Sequence, residues 1–260
     1  PRRMELRRIT DLIRMTALRS LKVRYRGTLL GVLWSFANPV MMTAVYTAIF
    51  GAAYSKYYDG SIVRYVLSAF VGLVVVSFFL GATTEAMGSV VGNGTLLNKI
   101  AVPPAIFPLS AVAANVFQHA ITTFPILLIV SAVETHDALR VVLIPLVLAV
   151  LVLLSTGFGL ALAALFVFFR DLPHLWAIGG FILWITSPLF YPAEIAPRVV
   201  RPWFAINPVA NEISALREVA LGSGPVHVAP IAGALVASLL SLAIGAALFR
   251  ALRRDFMDLL

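Results

Sequence analysis

The chain has 260 residues, of which 60% are hydrophobic and only 12% are charged, about half the charged share that is usual in a soluble domain. With a mean hydropathy of +0.95, this composition argues against a soluble protein, because one very apolar core would lack a charged surface. There is no cysteine, which excludes disulfides, thiolate metal sites and cysteine nucleophiles.

The first 26 residues carry charges throughout and lack the short apolar core of a cleavable signal peptide, so no cleavage is expected there. Residues 4–22 instead predict an amphipathic helix. Leu6, Ile9, Ile13 and Ala17 fall on one face, and basic side chains fall on the other. Such a helix lies flat at a membrane interface with its basic side towards anionic headgroups. The alternative is an ordinary surface helix packed on protein.

Six apolar segments follow, each long enough to be considered as a membrane span. They cover residues 29–54, 65–91, 105–133, 141–169, 175–191 and 228–249. Residues 192–227 mix apolar, charged and proline residues without a spanning stretch, so short re-entrant helices at the outer face are expected. The sequence therefore predicts an all-α integral membrane protein, with residues 1–260 forming one transmembrane domain.

The distribution of basic residues orients these spans. With six spans both termini share a side, and placing them inside puts 14 Lys and Arg residues inside and 6 outside. Because basic residues concentrate in cytoplasmic segments, both termini are expected in the cytoplasm. The net charge of +8 thus indicates membrane topology, and no nucleic-acid partner is expected.

Motifs for chemistry are scarce in this sequence. The segment from Gly92 to Lys99 has glycines and a lysine in the wrong order for a phosphate-binding loop, and the four histidines lack metal-ligand spacing. We expect no metal, cofactor or catalytic residue in this chain. Glu85 is the one acid well inside a predicted span; it is either a functional intramembrane charge or a satisfied structural acid.

Small residues recur every four positions in the last predicted span, namely Ala229, Gly233, Ala237, Ser241 and Gly245. This spacing lets helices approach closely. It predicts packing within the subunit, or alternatively an interface between subunits.

Four segments carry short motifs in order along nearly the whole chain. Residues 22–35 include Arg24, Tyr25, Arg26, Gly31 and Trp34; residues 96–103 read LLNKIAVP; residues 169–174 read FRDLPH, with Arg170 and Asp171; and residues 187–191, SPLFY, precede Asn207 and Pro208. Together they resemble the permease subunit of ABC-2 type exporters for polysaccharides, a family that includes O-antigen, capsule, teichoic acid and galactan exporters. One departure is Val102, where the family usually has an aromatic residue.

The resemblance implies a homodimeric permease in the cytoplasmic membrane that moves lipid-linked glycans outward. It further implies two copies of a separate ATPase subunit, which would bind ATP and Mg, and outer re-entrant helices at residues 192–227. The interfacial helix and the first inner loop would contact the ATPase. The loop residues expected in this contact are Asn93, Thr95, Leu96, Leu97, Asn98, Lys99 and Ile100.

The loop pattern itself is typical of a short helix that docks into a partner's groove, with Leu96, Leu97 and Ile100 as its apolar face. Arg170 and Asp171 are adjacent and would not face each other on a helix. Arg170 is therefore expected to bind headgroups or a helix C-terminus, and Asp171 to cap the helix that starts before Pro173.

A polar polymer needs a path through the membrane, and aromatic faces offer a surface on which sugars can slide. The candidates are Tyr46, Phe50, Phe78, Phe79, Phe181, Trp184, Phe190 and Tyr191. The alternative is that these rings form an interfacial belt or pack against lipid and neighbouring helices.

An apolar chain with several spans could also serve three other functions. A secondary transporter would carry more intramembrane charge and inverted repeats, and neither is visible. A membrane-embedded glycan-modifying enzyme would need clustered acids or histidines, and Glu194, Glu212 and Glu218 have no compelling spacing. An ABC-2 permease for a lipid or a drug stays open, because only the resemblance favours glycans.

Overall fold

The computed structural model describes residues 2–24, 26–29, 31–97, 102–192, 195–199 and 201–259, and the side chains of residues 2–9, 205, 257 and 258 lie outside that description. Among the described residues every regular element is helical and no strand occurs. The α-helices are α1 (Arg2–Arg24), α2 (Trp34–Tyr54), α3 (Ile62–Ser89), α4 (Gly94–Leu97), α5 (Ile106–Ile121), α6 (Phe124–Thr135), α7 (Ala138–Phe168), α8 (Leu172–Thr186), α9 (Arg201–Ile206), α10 (Pro208–Leu221), α11 (Val228–Leu252) and α12 (Phe256–Leu259).

Several helices begin directly after a residue whose side chain caps the first turn. Ser61 and Asp137 accept backbone N–H bonds at the starts of α3 and α7, from Arg64 and Leu139. Asn207 accepts from two backbone N–H groups in the first turn of α10, directly before Pro208. A side-chain acceptor at the cap and proline at the first helical position both favour a helix start, because the first N–H groups lack partners within the helix.

The centre of the molecule is α3. Its residues 68–76, 78 and 79 are all buried, between α7, α5, α2 and α10. A largely apolar helix of this kind is typical of a membrane span or of a buried core. α3 lies at the centre of the bundle, while α11 packs on α7 and α10, and α1 packs on α5.

Glycine brings α7 and α11 into close contact. A Cβ atom added at Gly157 would overlap Ser241 of α11, and one added at Gly245 would overlap the backbone of Gly157. The C-terminal part of this small-residue pattern, Ser241 and Gly245, thus packs within the subunit, as the sequence predicted. The N-terminal part does not, since Ala229 and Gly233 are exposed.

The described residues between 192 and 227 form two short helices, α9 and α10. α10 is packed into the bundle rather than lying on its surface: Val209, Ile213, Leu216 and Val219 are almost fully buried against α3, α6, α7 and α11. These apolar residues of α10 therefore belong to the core, whereas Trp203 and Ile206 of α9 are 64% and 71% exposed.

The expected span at residues 105–133 is not one straight helix. α5 and α6 meet at Thr122 and Thr123 with a bend of 46°, so the pair is either a broken span or a re-entrant loop. Pro125 sits at the first turn of α6, where it cannot donate a hydrogen bond to the end of α5. This explains why the helix stops and restarts there.

The expected span at residues 175–191 is also shorter than predicted. α8 covers only residues 172–186, and 15 residues rise about 22 Å, less than the roughly 30 Å of a bilayer core. Four described helices are long and apolar enough to span (α2, α3, α7 and α11), or five if α5 and α6 count as one. Six spans are therefore not confirmed, and the apolar run through Ser187–Tyr191 lies outside α8.

The predicted interfacial helix lies within α1, which extends from Arg2 to Arg24. Ala17 and Leu21 are buried against Ala114 of α5, while Met15 and Val23 remain 62% and 70% exposed. α1 therefore packs on protein through one face and leaves a second apolar strip beside Arg19, Lys22 and Arg26.

Candidate functional site

A row of aromatic rings follows one face of α2. Tyr46, Phe50 and Tyr54 are four residues apart, and their ring centroids are 6.1 and 5.6 Å from one another with nearly parallel planes. This is the spacing at which side chains stack along a helix. Phe190, in the irregular segment after α8, stacks on Tyr46 with a centroid distance of 3.4 Å and contacts Trp184 at 5.7 Å.

The row continues on α3 and in the turn before it. Tyr65 lies 6.2 Å from Tyr54 and 5.7 Å from Tyr58, and its hydroxyl donates to the carbonyl of Phe190 at 2.9 Å. We call the seven rings, Trp184, Phe190, Tyr46, Phe50, Tyr54, Tyr65 and Tyr58, the aromatic ladder. It runs from the end of α8 to the α2–α3 turn, with each centroid within 6.2 Å of the next.

Four of the eight predicted path residues, Tyr46, Phe50, Trp184 and Phe190, are thus brought together. Sequence reasoning missed Tyr54, Tyr58 and Tyr65, although Tyr54 continues the four-residue spacing from Phe50 and could have been found from it. Tyr65 and Tyr58 reach the ladder only through the packing of α3 beside α2, which the sequence did not show.

The other four predicted residues lie elsewhere. Phe78 and Phe79 are fully buried inside the subunit, against His119 and Phe124 and against Phe158 and Trp176. Neither ring reaches a surface in this structure, so the assignment of these two to a path is corrected to core packing.

Phe181 is 64% exposed on α8, beside the cavity that also contacts Trp184. Tyr191 contacts Phe204 of α9 at 6.4 Å, and its hydroxyl donates to the carbonyl of Ile185. Both residues are near the ladder's end at α8 without belonging to it.

Glu85 has a charged partner from the far N-terminal helix. The guanidinium of Arg24, in the last turn of α1, pairs with the Glu85 carboxylate and donates to Gln118 at 2.9 Å. Asn115 donates to the same Glu85 oxygen at 2.8 Å. This cluster joins α1, α3 and α5, so Glu85 is a satisfied acid rather than an isolated one.

Arg26 and Trp34, also named from the sequence motif, are both exposed, with Trp34 at the first position of α2. Gly31 has a positive φ of 51°, a conformation that glycine adopts without steric cost. This explains its place just before α2. Tyr25 lies outside the described residues.

The expected ATPase-coupling loop is only partly described. Asn93 donates to the carbonyl of Ser89 at 2.8 Å and Thr95 is exposed, whereas Leu96 is half-buried. Leu97 is buried in a cluster with Phe107, Phe249 and Phe256. Leu97 therefore packs within its own subunit and is not free to enter a partner's groove, which corrects its assignment. Asn98, Lys99 and Ile100 lie outside the described residues.

Arg170 and Asp171 do not pair with each other. Arg170 donates to the carbonyl of Leu259, in the last described turn of the chain, and its guanidinium lies 5.9 Å from the Phe166 ring. This agrees with the expected contact to a helix C-terminus. Asp171 occupies the N-cap position of α8 but its side chain makes no capping bond, so the expectation that it caps this helix is wrong.

The described side chains offer no obvious centre for metal chemistry. Among them, no group of three or more His, Asp or Glu residues is close enough to hold a metal ion. The arrangement provides a continuous aromatic surface on one side and, on the other, the charged cluster that links α1, α3 and α5.

Comparison with known proteins agrees with a transport role. Residues 11–221 match the ABC-2 type transporter family. The chain is 26% identical over 252 residues to the O-antigen export system permease protein RfbA of Klebsiella pneumoniae, covering 96% of this chain and 95% of the relative. It is 25% identical over 257 residues to a protein of the same name from Myxococcus xanthus, covering 98% and 97%.

A further relative is the capsule polysaccharide export inner-membrane protein CtrC of Neisseria meningitidis, 21% identical over 198 residues, or 75% of this chain and 73% of the relative. The family match extends over most of the chain, from α1 to the end of α10. This chain therefore belongs to the ABC-2 type transporter family.

Proposed function

We propose that this chain is the membrane permease of an exporter that carries lipid-linked polysaccharide out of the cytoplasm. The observation that carries this proposal is the end-to-end match to relatives named as O-antigen export permeases, with 95% or more of both chains aligned. The ABC-2 family also includes permeases for other substrates, so the substrate class rests on these relatives and on the aromatic ladder.

The aromatic ladder provides a surface suited to such a substrate. Aromatic rings pack against the C–H groups of a sugar without fixing its hydroxyls, so a polymer can slide past them. The ladder rings Tyr46, Phe50, Trp184 and Phe190 are only half-buried in the subunit, which leaves part of each ring available to a substrate. In this proposal the ladder lines the path, and Phe181 and Tyr191 flank one end of it.

The partners follow from the family. Transport is proposed to depend on a separate ATPase subunit that binds ATP and Mg, with two permease and two ATPase copies in the complex. Both termini are placed in the cytoplasm, because the basic residues then concentrate on the inner side. Thr95 is exposed and available on that side for the ATPase contact. So is the apolar strip of α1 with its neighbours Arg19, Lys22 and Arg26.

Deletion of the gene and complementation test the substrate class. Wild-type protein should restore polysaccharide on the cell surface, and the purified chain alone should not hydrolyse ATP. Normal surface polysaccharide in the deletion strain would favour a lipid or drug substrate instead. Robust ATP hydrolysis by the isolated chain would contradict the permease role.

The ladder is tested by Tyr46→Ala and Phe50→Ala, with Ile49→Ala as the matched control. Ile49 lies between the two rings in sequence and is 63% exposed, yet it is not part of the ladder. Export should fall in the two ladder variants at normal protein level and stay unchanged in the control. If export falls only in step with protein level, these rings serve packing alone.

A further inference from the structure

A polar cavity opens at the Tyr58 end of the aromatic ladder. It lies between the α2–α3 turn, the first turns of α3 and the second half of α10, and its volume is about 340 Å³. This is within the range of about 300–1,000 Å³ that is typical of small-molecule sites. Its lining includes the side chains Tyr57, Tyr58, Asp59, Arg64, Ser214 and Glu218.

The cavity contrasts with the other large grooves of the bundle. Two other cavities, of about 540 and 560 Å³, are lined almost wholly by apolar side chains such as Leu128, Leu153, Val40 and Phe70, as expected for surfaces that face lipid tails. The cavity at the ladder's end instead combines two tyrosines with two carboxylates, two arginines and two serine hydroxyls. A polar occupant suits this lining better than an acyl chain, which could not form hydrogen bonds with it.

The charges in the cavity balance, and the positive ones are already engaged. Arg64 pairs with Asp59 and lies 3.7 Å from Glu134. Arg217 donates to the carbonyls of Ser68 and Leu189 at 3.0 and 2.9 Å. A phosphate would have to compete with these partners and would meet the Asp59 and Glu218 carboxylates. A neutral ligand rich in hydroxyl groups meets no charge repulsion, and its hydroxyls can donate to the carboxylates and accept from the arginines beside the existing bonds.

Two rings supply the apolar part of the site. Tyr57 is 43% exposed, with the Lys56 ammonium 5.2 Å from its ring centre. Tyr58 accepts from the Ser68 hydroxyl at 3.3 Å and is itself the last ring of the ladder, through its contact with Tyr65. A ligand that leaves the ladder at Tyr58 would therefore enter this cavity directly.

The turn that carries both rings is held in one shape. Asp59 and Gly60 both have positive φ, 54° and 72°, and the N–H groups of Gly60 and Ser61 donate to the carbonyls of Ser55 and Tyr58 at 3.0 and 2.9 Å. A binding site on a preformed turn loses little conformational entropy when it is occupied.

We infer that this cavity is a saccharide-binding subsite, which holds one or two sugar units of the polymer as it leaves the ladder. The inference rests on the proposed function and deepens it, since it names a second, polar contact point for the same substrate. The tyrosine rings contact the C–H face of a sugar. The Asp59 carboxylate, the Arg64 guanidinium and the Ser214 hydroxyl bind its hydroxyls.

Photo-cross-linking in living cells provides the direct test. Replacing Ser214 with p-benzoyl-L-phenylalanine places the cross-linker inside the cavity. Ultraviolet light should then produce a heavier protein band that disappears when polysaccharide synthesis is blocked. The same replacement at Ile244, which is 65% exposed on α11 and does not line the cavity, should give no such band, and the replacement at Phe50 reports on the ladder itself.

Substitutions give the second test, on the intact permease–ATPase complex. Tyr57→Ala should slow the appearance of surface polysaccharide roughly fivefold, as expected for loss of one aromatic contact, and Tyr57→Phe should retain most export. Asp59→Asn, which tolerates positive φ, removes the charge alone and should also slow export. Val63→Ala, an exposed neighbour outside the cavity, is the control.

The outcomes separate the subsite from the proposed function. A cross-link at Phe50 but not at Ser214, with normal export by Tyr57→Ala and Asp59→Asn, overturns the subsite and leaves the export role intact. A deletion strain with unchanged surface polysaccharide overturns the export role itself. In the purified complex, delipidated oligosaccharide from the exported polymer should compete with the polymer for cross-linking at the Ser214 position. Protection by pyrophosphate instead would identify a phosphate site and overturn the proposal.

Discussion

The two ends of the bundle hold buried charge in different ways. At the end near the α2–α3 turn, Arg140 is only 1% exposed, although it is one of the longest side chains in the protein. Its guanidinium donates to the Glu218 carbonyl and to the Gly224 carbonyl at 3.0 Å, and approaches the Glu218 carboxylate at 3.5 Å. We call this group, with Asp137 at 3.8 Å, the Arg140 clamp.

At the opposite end, Arg24 and Glu85 form one ion pair, and their side chains are 27% and 30% exposed. This pair and the bond from Arg24 to Gln118 connect the end of α1 to α3 and α5. A partly exposed pair contributes less net free energy than a buried one, because solvent screens part of its attraction. A buried charge such as Arg140, in contrast, is costly whenever a partner is lost.

We therefore expect the bundle to be fixed at the Arg140 end and adjustable at the Arg24–Glu85 end. The Arg140 clamp locks the start of α7 to the end of α10, beside the polar cavity and the ladder's end. The Arg24–Glu85 pair is more exposed than Arg140, so its loss should cost less free energy than the loss of the Arg140 clamp. In the proposed exporter, the Arg24 end would be the side that faces the ATPase, and the Arg140 end would surround the exit.

The largest effect is expected from Arg140→Ala. The substitution leaves the two carbonyls and the Glu218 carboxylate without their buried partner, a loss that typically costs about 3–5 kcal/mol of unfolding free energy. Thermal unfolding of the purified protein in nanodiscs measures it. Arg140→Lys is the control, and it should retain part of the stability because it keeps the charge but not the forked geometry. An unfolding temperature equal to that of wild type would refute the clamp.

Gly222→Ala is expected to have the second-largest effect. An added Cβ atom would overlap the Glu218 carbonyl and crowd the Arg140 guanidinium, and such overpacking typically costs about 1–3 kcal/mol. The same unfolding assay applies, with Gly233→Ala as the matched control, because nothing lies within 4 Å of that position. Equal effects of both substitutions would mean that the crowding at the clamp is absorbed without strain.

Glu85→Gln tests the adjustable end, where a smaller effect is expected. Loss of a partly exposed pair should lower the unfolding free energy by only about 1 kcal/mol, yet it should speed hydrogen exchange of the backbone amides in the C-terminal half of α1. Thr84→Ala, the exposed neighbour on the same helix, is the control. If exchange in α1 is unchanged, the contact of Ala17 and Leu21 with α5 holds the helix by itself.

Much of this architecture could be predicted from the sequence, because hydrophobic length and proline positions mark membrane helices directly. The predicted boundaries of the spans at residues 65–91, 141–169 and 228–249 lie within three residues of α3, α7 and α11 at both ends. Tyr46 and Phe50 could be paired because helical spacing alone places them together. The bend between α5 and α6 and the early end of α8 could not, since hydropathy does not distinguish a helix from an apolar irregular segment.

Contacts between distant segments were beyond the sequence for a different reason. Arg24 and Glu85 are 61 residues apart, and Arg140 and Glu218 are 78 apart. Nothing in a single sequence says which charges meet, so Glu85 could be described but not paired. A local expectation was also wrong, because the backbone conformation opposed it. An aspartate shortly before a proline is typical of an N-cap, yet Asp171 has helical φ and ψ of −84° and −4°. These values lie outside the extended conformation that capping requires.

Asp171→Ala is therefore expected to have the smallest effect on stability. Because the Asp171 side chain makes no capping bond, its removal should change the unfolding free energy by less than about 0.5 kcal/mol, as for most exposed positions. Asn207→Ala is the matched comparison, since Asn207 caps α10 through two backbone N–H bonds at 3.0 and 3.3 Å. Loss of that cap typically costs about 0.5–2 kcal/mol. Thermal unfolding of both variants side by side would show whether α8 starts without help from its N-cap residue. Similar losses in the two would mean that the aspartate does stabilise the helix.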